Sequence, residues 1–360
     1  MSLPPGLRLV ENPPNPWSST AVEYLDAEPG RYGEGGDEGA PVARLEVIED
    51  ATRSILAEND SPDLGFRFSV NPYRGCFHAC AYCYARPDHE RLGFGAGTDF
   101  DRKIVVKPRA PELLREAFEK PSWRGDLIVF SGDTDCYQPL EASYELTRRC
   151  LAICAEYQNP CGVITKSPLI ERDLDVLSEL SRVTSLRVTV SIPLWNRDKA
   201  RALEPFVATP ERRVRTIERL AAAGVRVGVN VAPLIPGLGD EDMPLVLRAA
   251  RDAGATHAGS VMLRLPGAVA TIFAERLTRA LPLRAKKVLA RVREGRGGKL
   301  YDARFGERQR GRGPYAEATR ALFEAECRRL GLRFDDDFDP PVATFRRPSR
   351  PGSQLALFST

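Results

Sequence analysis

From Phe66 to Ala280 the chain alternates short, β-branched apolar runs with helix-length connections, and this constrains its fold more than any other feature. Strands are expected over 66–70, 126–131, 161–165, 186–191, 225–231 and 256–263, and helices over 111–120, 141–157, 170–180, 210–223, 240–253 and 269–280. Apolar strands joined by helical crossovers pair in parallel with right-handed connections. Six such units form an open doubly wound sheet or a complete or partial barrel, and in each the chemistry belongs at the C-terminal ends of the strands. Polar strings fall at those ends: Gly132-Asp-Thr-Asp-Cys-Tyr-Gln138 after the second strand, Lys166-Ser167 after the third, and Ser191 closing the fourth.

The flanks read differently. Residues 1–60 form an N-terminal extension, rich in proline and then acidic and glycine-rich over 33–39, expected to be partly disordered, although 42–59 has apolar spacing suited to docking. Residues 61–282 are expected to be the core barrel, 283–334 a basic C-terminal helical region with a helix over 314–330, and 335–360 a disordered Pro/Arg/Ser-rich tail. A hydrophobic content of 42% in 360 residues fills a sizeable core. There is no apolar run of about 18 residues, and the start lacks the charged-then-apolar plan of a secretory signal, so no membrane partner and a cytoplasmic setting are expected. In a reducing compartment the eight cysteines point to metal or chemistry before disulfides.

The sharpest local signal is Arg74-Gly-Cys-Phe-His-Ala-Cys-Ala-Tyr-Cys-Tyr84, directly after the first strand. Cys76, Cys80 and Cys83 can wrap one 4Fe–4S cluster from a single loop and leave one iron open to a substrate or a chelating cofactor. The alternative is a structural zinc site completed by His78, though zinc sites usually draw paired ligands from two separated loops. Cys150, Cys154 and Cys161 raise the question of a second cluster but lie on no compact loop, and buried free cysteine is common. Cys327 is expected to be structural, and His89 and His257 carry no assigned role.

With C-x3-C-x-aromatic-C at the end of the first strand, the chain resembles the radical S-adenosylmethionine (radical SAM) superfamily. Through Asn71-Pro-Tyr-Arg-Gly-Cys76, Tyr82-Cys-Tyr-Ala-Arg86, Thr134-Asp-Cys-Tyr-Gln-Pro-Leu-Glu141 and Ile164-Thr-Lys166 it resembles the spore photoproduct lyase or DNA repair photolyase-like branch. The resemblance implies a partial (β/α)6 barrel of TIM-like α/β architecture. It also implies one 4Fe–4S cluster on Cys76, Cys80 and Cys83, S-adenosylmethionine chelating the open iron, and reductive cleavage to a 5′-deoxyadenosyl radical. It further implies a low-potential electron donor such as flavodoxin or ferredoxin. By the same resemblance Tyr82 lies near the adenine, Asp133, Thr134 or Asp135 receives the methionine amine, and Lys166 pairs with its carboxylate. Ser191 and Asn230 contact the ribose, an apolar residue of the motif at 231–237 lines the adenine pocket, and carbonyls around 262–264 read the adenine edge. Cys136 is a candidate hydrogen-atom donor and Tyr137 a competing radical relay, although the lyase cysteine aligns nearer Gly132.

Between Arg276 and Arg333, 17 Lys or Arg face 6 Asp or Glu, in a chain whose overall charge is only +3. Arg304, Arg308, Arg310 and Arg312, interleaved with Tyr301, Phe305 and Tyr315, suit phosphate contact combined with base stacking, or else a solvated basic surface. The ending Gln354-Leu-Ala-Leu-Phe358 resembles the peptide by which bacterial replication and repair proteins dock on the sliding clamp. These features favour a nucleic acid substrate, DNA first. The alternatives are the same chemistry on RNA or protein, or a non-catalytic, clamp-bound iron–sulfur protein.

Overall fold

The computed structural model describes residues 45–334 and 343–348. Six parallel strands carry the fold: β1 Phe68–Val70, β2 Ile128–Phe130, β3 Cys161–Thr165, β4 Leu186–Ser191, β5 Val227–Leu234 and β6 His257–Met262. They pair in sequential order and do not close; the free edge of β1 takes an antiparallel strand, Leu56–Glu58. The α/β architecture is thus one of the arrangements the alternation allows, the partial barrel that the resemblance implies. Ser191 sits opposite Asn230, and Asn230 opposite Gly259, so the upper ends of β4, β5 and β6 come level.

Six helices follow the strands: α1 Ala110–Glu119, α2 Leu146–Glu156, α3 Leu174–Val183, α4 Pro210–Ala222, α5 Met243–Asp252 and α6 Val269–Ala280. Proline in the first turn starts α1 and α4, and the Thr209 hydroxyl caps α4 by accepting from the Arg212 amide at 3.3 Å. On the helix side of the sheet, Val163, Val188, Val190, Val227 and Val229 share one core with Leu151, Leu177, Leu180, Ile217, Leu220 and Val246. The alternate strand positions Gly162, Ile164, Arg187, Thr189 and Asn230 are only partly buried. A parallel sheet covered on both faces buries both sets. The concave face of this barrel is therefore open to solvent and is the face that can take a ligand.

Three departures from the expected elements have local causes. The helix expected over 141–157 breaks at Glu145, which is left-handed at φ 52°. The carboxylate of Glu141 accepts from the Thr147 and Arg148 amides at 3.0 and 3.2 Å and so caps a new helix. The helix expected over 170–180 opens with a 3-10 turn, Pro168–Asp173, before α3. A short strand, Lys103–Val106, pairs in parallel with Glu46–Glu49 and antiparallel with Tyr73–Arg74. Part of the expected extension is thereby docked, with Leu56–Glu58 docked on β1.

Beyond α6, helices α7 Pro282–Glu294 and α8 Pro314–Leu330 bracket the basic loop. The guanidinium of buried Arg296 pins that loop to the barrel, donating to the Leu263 carbonyl at 2.9 Å, to Arg308 O at 2.8 Å and to Glu307 O. Residues 343–348, within the stretch expected to be a disordered tail, run as a strap across the opposite, lower end of the barrel. Thr344 donates to Gln158 O at 2.8 Å, and Arg347 donates to Phe118 O and Lys120 O at 3.0 and 2.7 Å. The Phe345 ring packs edge-on to Phe118 and stacks on Tyr157. Gly125, at φ +85°, makes room for it, since a Cβ there would lie 2.2 Å from Phe345 Cβ. Gly125→Ala is expected to expel the strap and cost about 1–3 kcal/mol, read by urea unfolding and by faster tryptic cleavage after Arg346. Among the described residues no helix is long and apolar enough to cross a membrane.

Candidate active site

The cysteine loop begins where the small sheet ends. Gly75 sits at φ +77°, and a Cβ would meet Phe100 O at 2.9 Å and Lys103 O at 3.0 Å, so only glycine brings the chain this close to that strand. The Cys76 amide donates to Phe100 O at 2.9 Å, the Gln138 side chain bridges the Phe77 amide and Gly75 O, and the Ala81 amide donates to Leu203 O. Arg86, 2% exposed, donates to Cys80 O, Ala96 O, Gly97 O and Asp101. These bonds use backbone and neighbouring side-chain groups and leave the three thiols free.

Cys76, Cys80 and Cys83 are free thiols, the first two buried and the third half-buried. Burial pushes all three thiols up, and each of Cys76 and Cys80 is raised further by neighbouring cysteines. A thiolate here needs a cation to exist. His78, the fourth ligand of the zinc alternative, instead places Nδ1 3.4 Å from Asp135. Among the described residues, no three of His, Cys, Asp and Glu converge closely enough to chelate a single metal ion. Three adjacent sulfurs without a fourth ligand suit a cluster, whose metals spread the donors, better than one zinc.

The string after β2 separates into distinct roles. The Thr134 hydroxyl donates to Tyr73 O at 2.8 Å and is buried. The carboxylate of Asp135 accepts from Thr165 Oγ1 at 2.7 Å, the Lys166 amide at 2.8 Å and the Tyr137 amide at 2.9 Å. It is desolvated, yet these donors and His78 hold its pKa down at about 2. Asp133 differs: among the described residues its amide is bonded, to Asn71 Oδ1, but its carboxylate has no donor. Burial, followed by the charge of Asp88, lifts its pKa to about 7. Of the three candidates for the amine, Asp133 alone keeps an open carboxylate beside Cys83 and Tyr84.

Lys166 reaches over the Tyr82 ring, Nζ 5.8 Å from its centre. Burial works against its charge, but Cys80, Glu204 and Asp135 raise its pKa overall. Among the described residues it has no ion-pair partner, so this cation is available to an anion from solution. The hydroxyl of buried Tyr82 donates to Glu204, which also takes Arg213 at 2.6 Å, and Arg213 donates to Ser191 O at 2.8 Å. Glu204 follows a short helix, Arg197–Leu203, that the sequence reading missed; its signal was Asn196, whose side chain caps the Asp198 and Lys199 amides at 3.0 Å. Asn230 lies within β5, which extends past its expected end to Leu234, and its Oδ1 is buried with no partner among the described residues. Such an orphan acceptor calls for a donor from a ligand or water.

The structure places the remaining residues named from the sequence elsewhere. Cys136 and Tyr137 are 1% and 0% exposed in the helix-side core; Tyr137 donates to Asp173 at 3.0 Å. Neither joins the sulfurs: both lie in the turn after β2, and their side chains pack in the apolar layer. The Leu263 carbonyl, expected to read a base edge, is taken by Arg296. Cys150, Cys154 and Cys161 are buried in the core, and Cys327 likewise. In the basic loop, Arg308 is bound to Asp63 and Ser61, and Tyr315 to Asp240, so neither faces outward. Phe305 stays 57% exposed beneath the Arg308 guanidinium, and Arg264 lies over the 41% exposed Tyr84 at 5.0 Å on the rim above Cys83. The peptide 354–358 lies outside the described residues.

His257, at the start of β6, and His89 behind the cysteine loop are buried, and desolvation lowers their pKa values to about 3 and about 4 from 6.5. Arg187, Arg226 and Arg333 add to the effect at His257. Below pH 6.5 the unfolded chain takes up protons that the folded one refuses, so stability falls on acidification, by ~1.4 kcal/mol per pH unit per histidine. Urea midpoints at pH 7.5 and pH 5 should drop accordingly, and His257→Gln should flatten part of that slope.

A family model described as the Radical SAM superfamily matches residues 70–250. An uncharacterized protein of Mycobacterium tuberculosis is 37% identical over 233 residues, 64% of this chain and 67% of that protein. An uncharacterized protein of Methanocaldococcus jannaschii is 28% identical over 198 residues, 55% of this chain and 71% of that one. Among solved structures, spore photoproduct lyase complexed with dinucleoside spore photoproduct matches with a TM-score of 0.53 at 14% identity, covering 80% of this chain and 82% of that one. A mutant of the same lyase with bound AdoMet and the dinucleoside matches at 0.51 and 16% identity, covering 81% of each chain. Those structures share the fold described above, and with the family match over its strands and its cysteine loop, this chain belongs to the radical SAM superfamily.

Proposed function

We propose that the chain is a radical SAM enzyme in which Cys76, Cys80 and Cys83 hold one 4Fe–4S cluster and the open concave face binds S-adenosylmethionine. The observation that carries this reading is the grouping, at one end of the strands, of three free thiols on one loop, Cys76 and Cys80 each feeling a neighbouring cysteine, with three groups that have no partner among the described residues: the Lys166 cation, the Asp133 carboxylate and Asn230 Oδ1. This set complements a zwitterionic amino acid joined to a ribose: Asp133 for the ammonium, Lys166 for the carboxylate, Asn230 Oδ1 and Ser191 for sugar hydroxyls, Tyr82 for the adenine side. When bound, the cluster would supply the electron for reductive cleavage of the sulfonium and so the 5′-deoxyadenosyl radical. This chain's own residues orient the cofactor and keep the site walled.

The substrate we propose is nucleic acid, with reversal of a DNA base lesion as the lyase-like activity. The basic loop that Arg296 fastens to the end of β6 stands beside the site, with exposed Phe305 and Tyr84 and half-buried Arg264 on that rim. Anionic backbones and unstacked bases are the ligands such a rim suits. The solved lyase of similar fold is named for a dinucleoside lesion. Anaerobic reconstitution with S-adenosylmethionine and a strong reductant should yield 5′-deoxyadenosine, and more of it with thymine-dimer or spore-lesion DNA than with undamaged DNA or RNA. A cluster that forms without 5′-deoxyadenosine sinks the enzyme reading, and stimulation by RNA alone moves the substrate. In the cell the electron would come from a flavodoxin or ferredoxin.

Two further outcomes follow. Asp133→Asn should weaken S-adenosylmethionine binding by ~10-fold or more, the loss of a charge-assisted hydrogen bond, whereas Thr134→Val should leave it near wild type. Leu357→Ala with Phe358→Ala should abolish capture of a bacterial sliding clamp by the full chain; unchanged capture removes that partner.

A further inference from the structure

Arg102 is an interior charge for which the described residues supply no hydrogen bond. It closes the short helix Thr98–Arg102, is 2% exposed, and has none of its three guanidinium nitrogens bonded among the described residues. Its contacts are aromatic: Cζ lies 4.4 Å from the centre of the Phe77 ring and 5.0 Å from that of Phe206. Its nearest countercharge, Asp101, already takes Arg86 at 2.9 Å and also feels Arg276. One carboxylate thus serves three guanidinium groups. A buried cation so poorly compensated destabilises a fold, and such violations persist where they serve function.

Phe77 identifies what Arg102 serves, because it stands between Cys76 and His78 in the turn joining the first two sulfurs. Resting on the cluster reading above, we propose that Arg102 is a positioning residue for the cluster. Its weakly screened charge favours the more negative, reduced form and so raises the midpoint potential. Its planar face on Phe77 and Phe206 shapes the turn. The step it acts on is a one-electron reduction. An external low-potential donor protein loses the electron, the cluster gains it, and no bond or proton is exchanged.

The test uses the full chain, reconstituted anaerobically, with the cluster potential followed by spectroelectrochemistry and the reduced form by electron paramagnetic resonance. Arg102→Met and Arg102→Gln should keep wild-type iron and sulfide content but have a more negative midpoint, whereas Arg102→Lys should stay near wild type. Both neutral variants should unfold at a temperature no lower than wild type, since an unsatisfied charge has gone. An unchanged midpoint in the neutral variants overturns the proposal, as does an equal shift in the lysine variant. Loss of iron from both neutral variants also overturns it, because Arg102 would then be only a support for the loop. A wild-type chain that takes up no cluster defeats the underlying reading instead, and is distinguished by iron analysis alone.

Discussion

Cys80→Ser is expected to strip the protein of bound iron and reduce 5′-deoxyadenosine formation to background. The Cys80 thiol feels the Lys166 charge and is buried, and its carbonyl is held by Arg86 at 3.0 Å, so the side chain has little freedom to be replaced by a neighbour. Desolvation keeps this thiol protonated in the metal-free chain. Serine, with a far less acidic hydroxyl, cannot supply the anion that the site already makes difficult for sulfur. Two controls make the result specific. Cys136→Ala, in the helix-side core, should leave iron content unchanged while lowering stability modestly. Metal-free wild type should react slowly with iodoacetamide at pH 7 and become no faster in mild chelator. Retention of full iron by Cys80→Ser would place the metal elsewhere.

The parts of the fold that the sequence made legible are those governed by local pattern. β3, β4 and α6 fall where expected because β-branched runs and a clear apolar period set their ends. Elements held by distant partners were not legible. Lys103–Val106 is a strand because Glu46–Glu49 and Tyr73–Arg74 flank it, and the strap at 343–348 has no period of its own and is held by Phe118, Tyr157 and the vacancy at Gly125. The site divides the same way. The C-x3-C-x2-C spacing is a local signal and singled out the sulfurs. Which acid of Asp133 and Asp135 is open depends on Thr165 and Lys166, thirty residues on, and no local pattern carries that. Glu204 was missed because the helix before it, Arg197–Leu203, is only seven residues long, is charged at four of them and offers just Ala200 and Leu203 to the core.

Glu204→Ala should be the most destabilising single change near the site. Its carboxylate is buried between the Tyr82 hydroxyl and Arg213, with both members of the ion pair 1% exposed. Removing the acid leaves the Arg213 charge in the interior with only the Ser191 carbonyl to accept from it, a change of about 3–5 kcal/mol. Tyr82→Phe deletes one hydrogen bond to a charged acceptor, about 1.5–3 kcal/mol, and leaves the ion pair standing. Because the two changes share that bond, their sum should exceed the loss in the double variant, and the coupling is read from urea unfolding of all four proteins. The same three residues tie the residue before the third cysteine to the end of β4. Any protein that stays folded after Glu204→Gln should therefore bind S-adenosylmethionine more weakly with its iron content intact. If Glu204→Ala unfolds at the wild-type urea concentration, the pair holds neither the wall of the site nor the barrel beneath it.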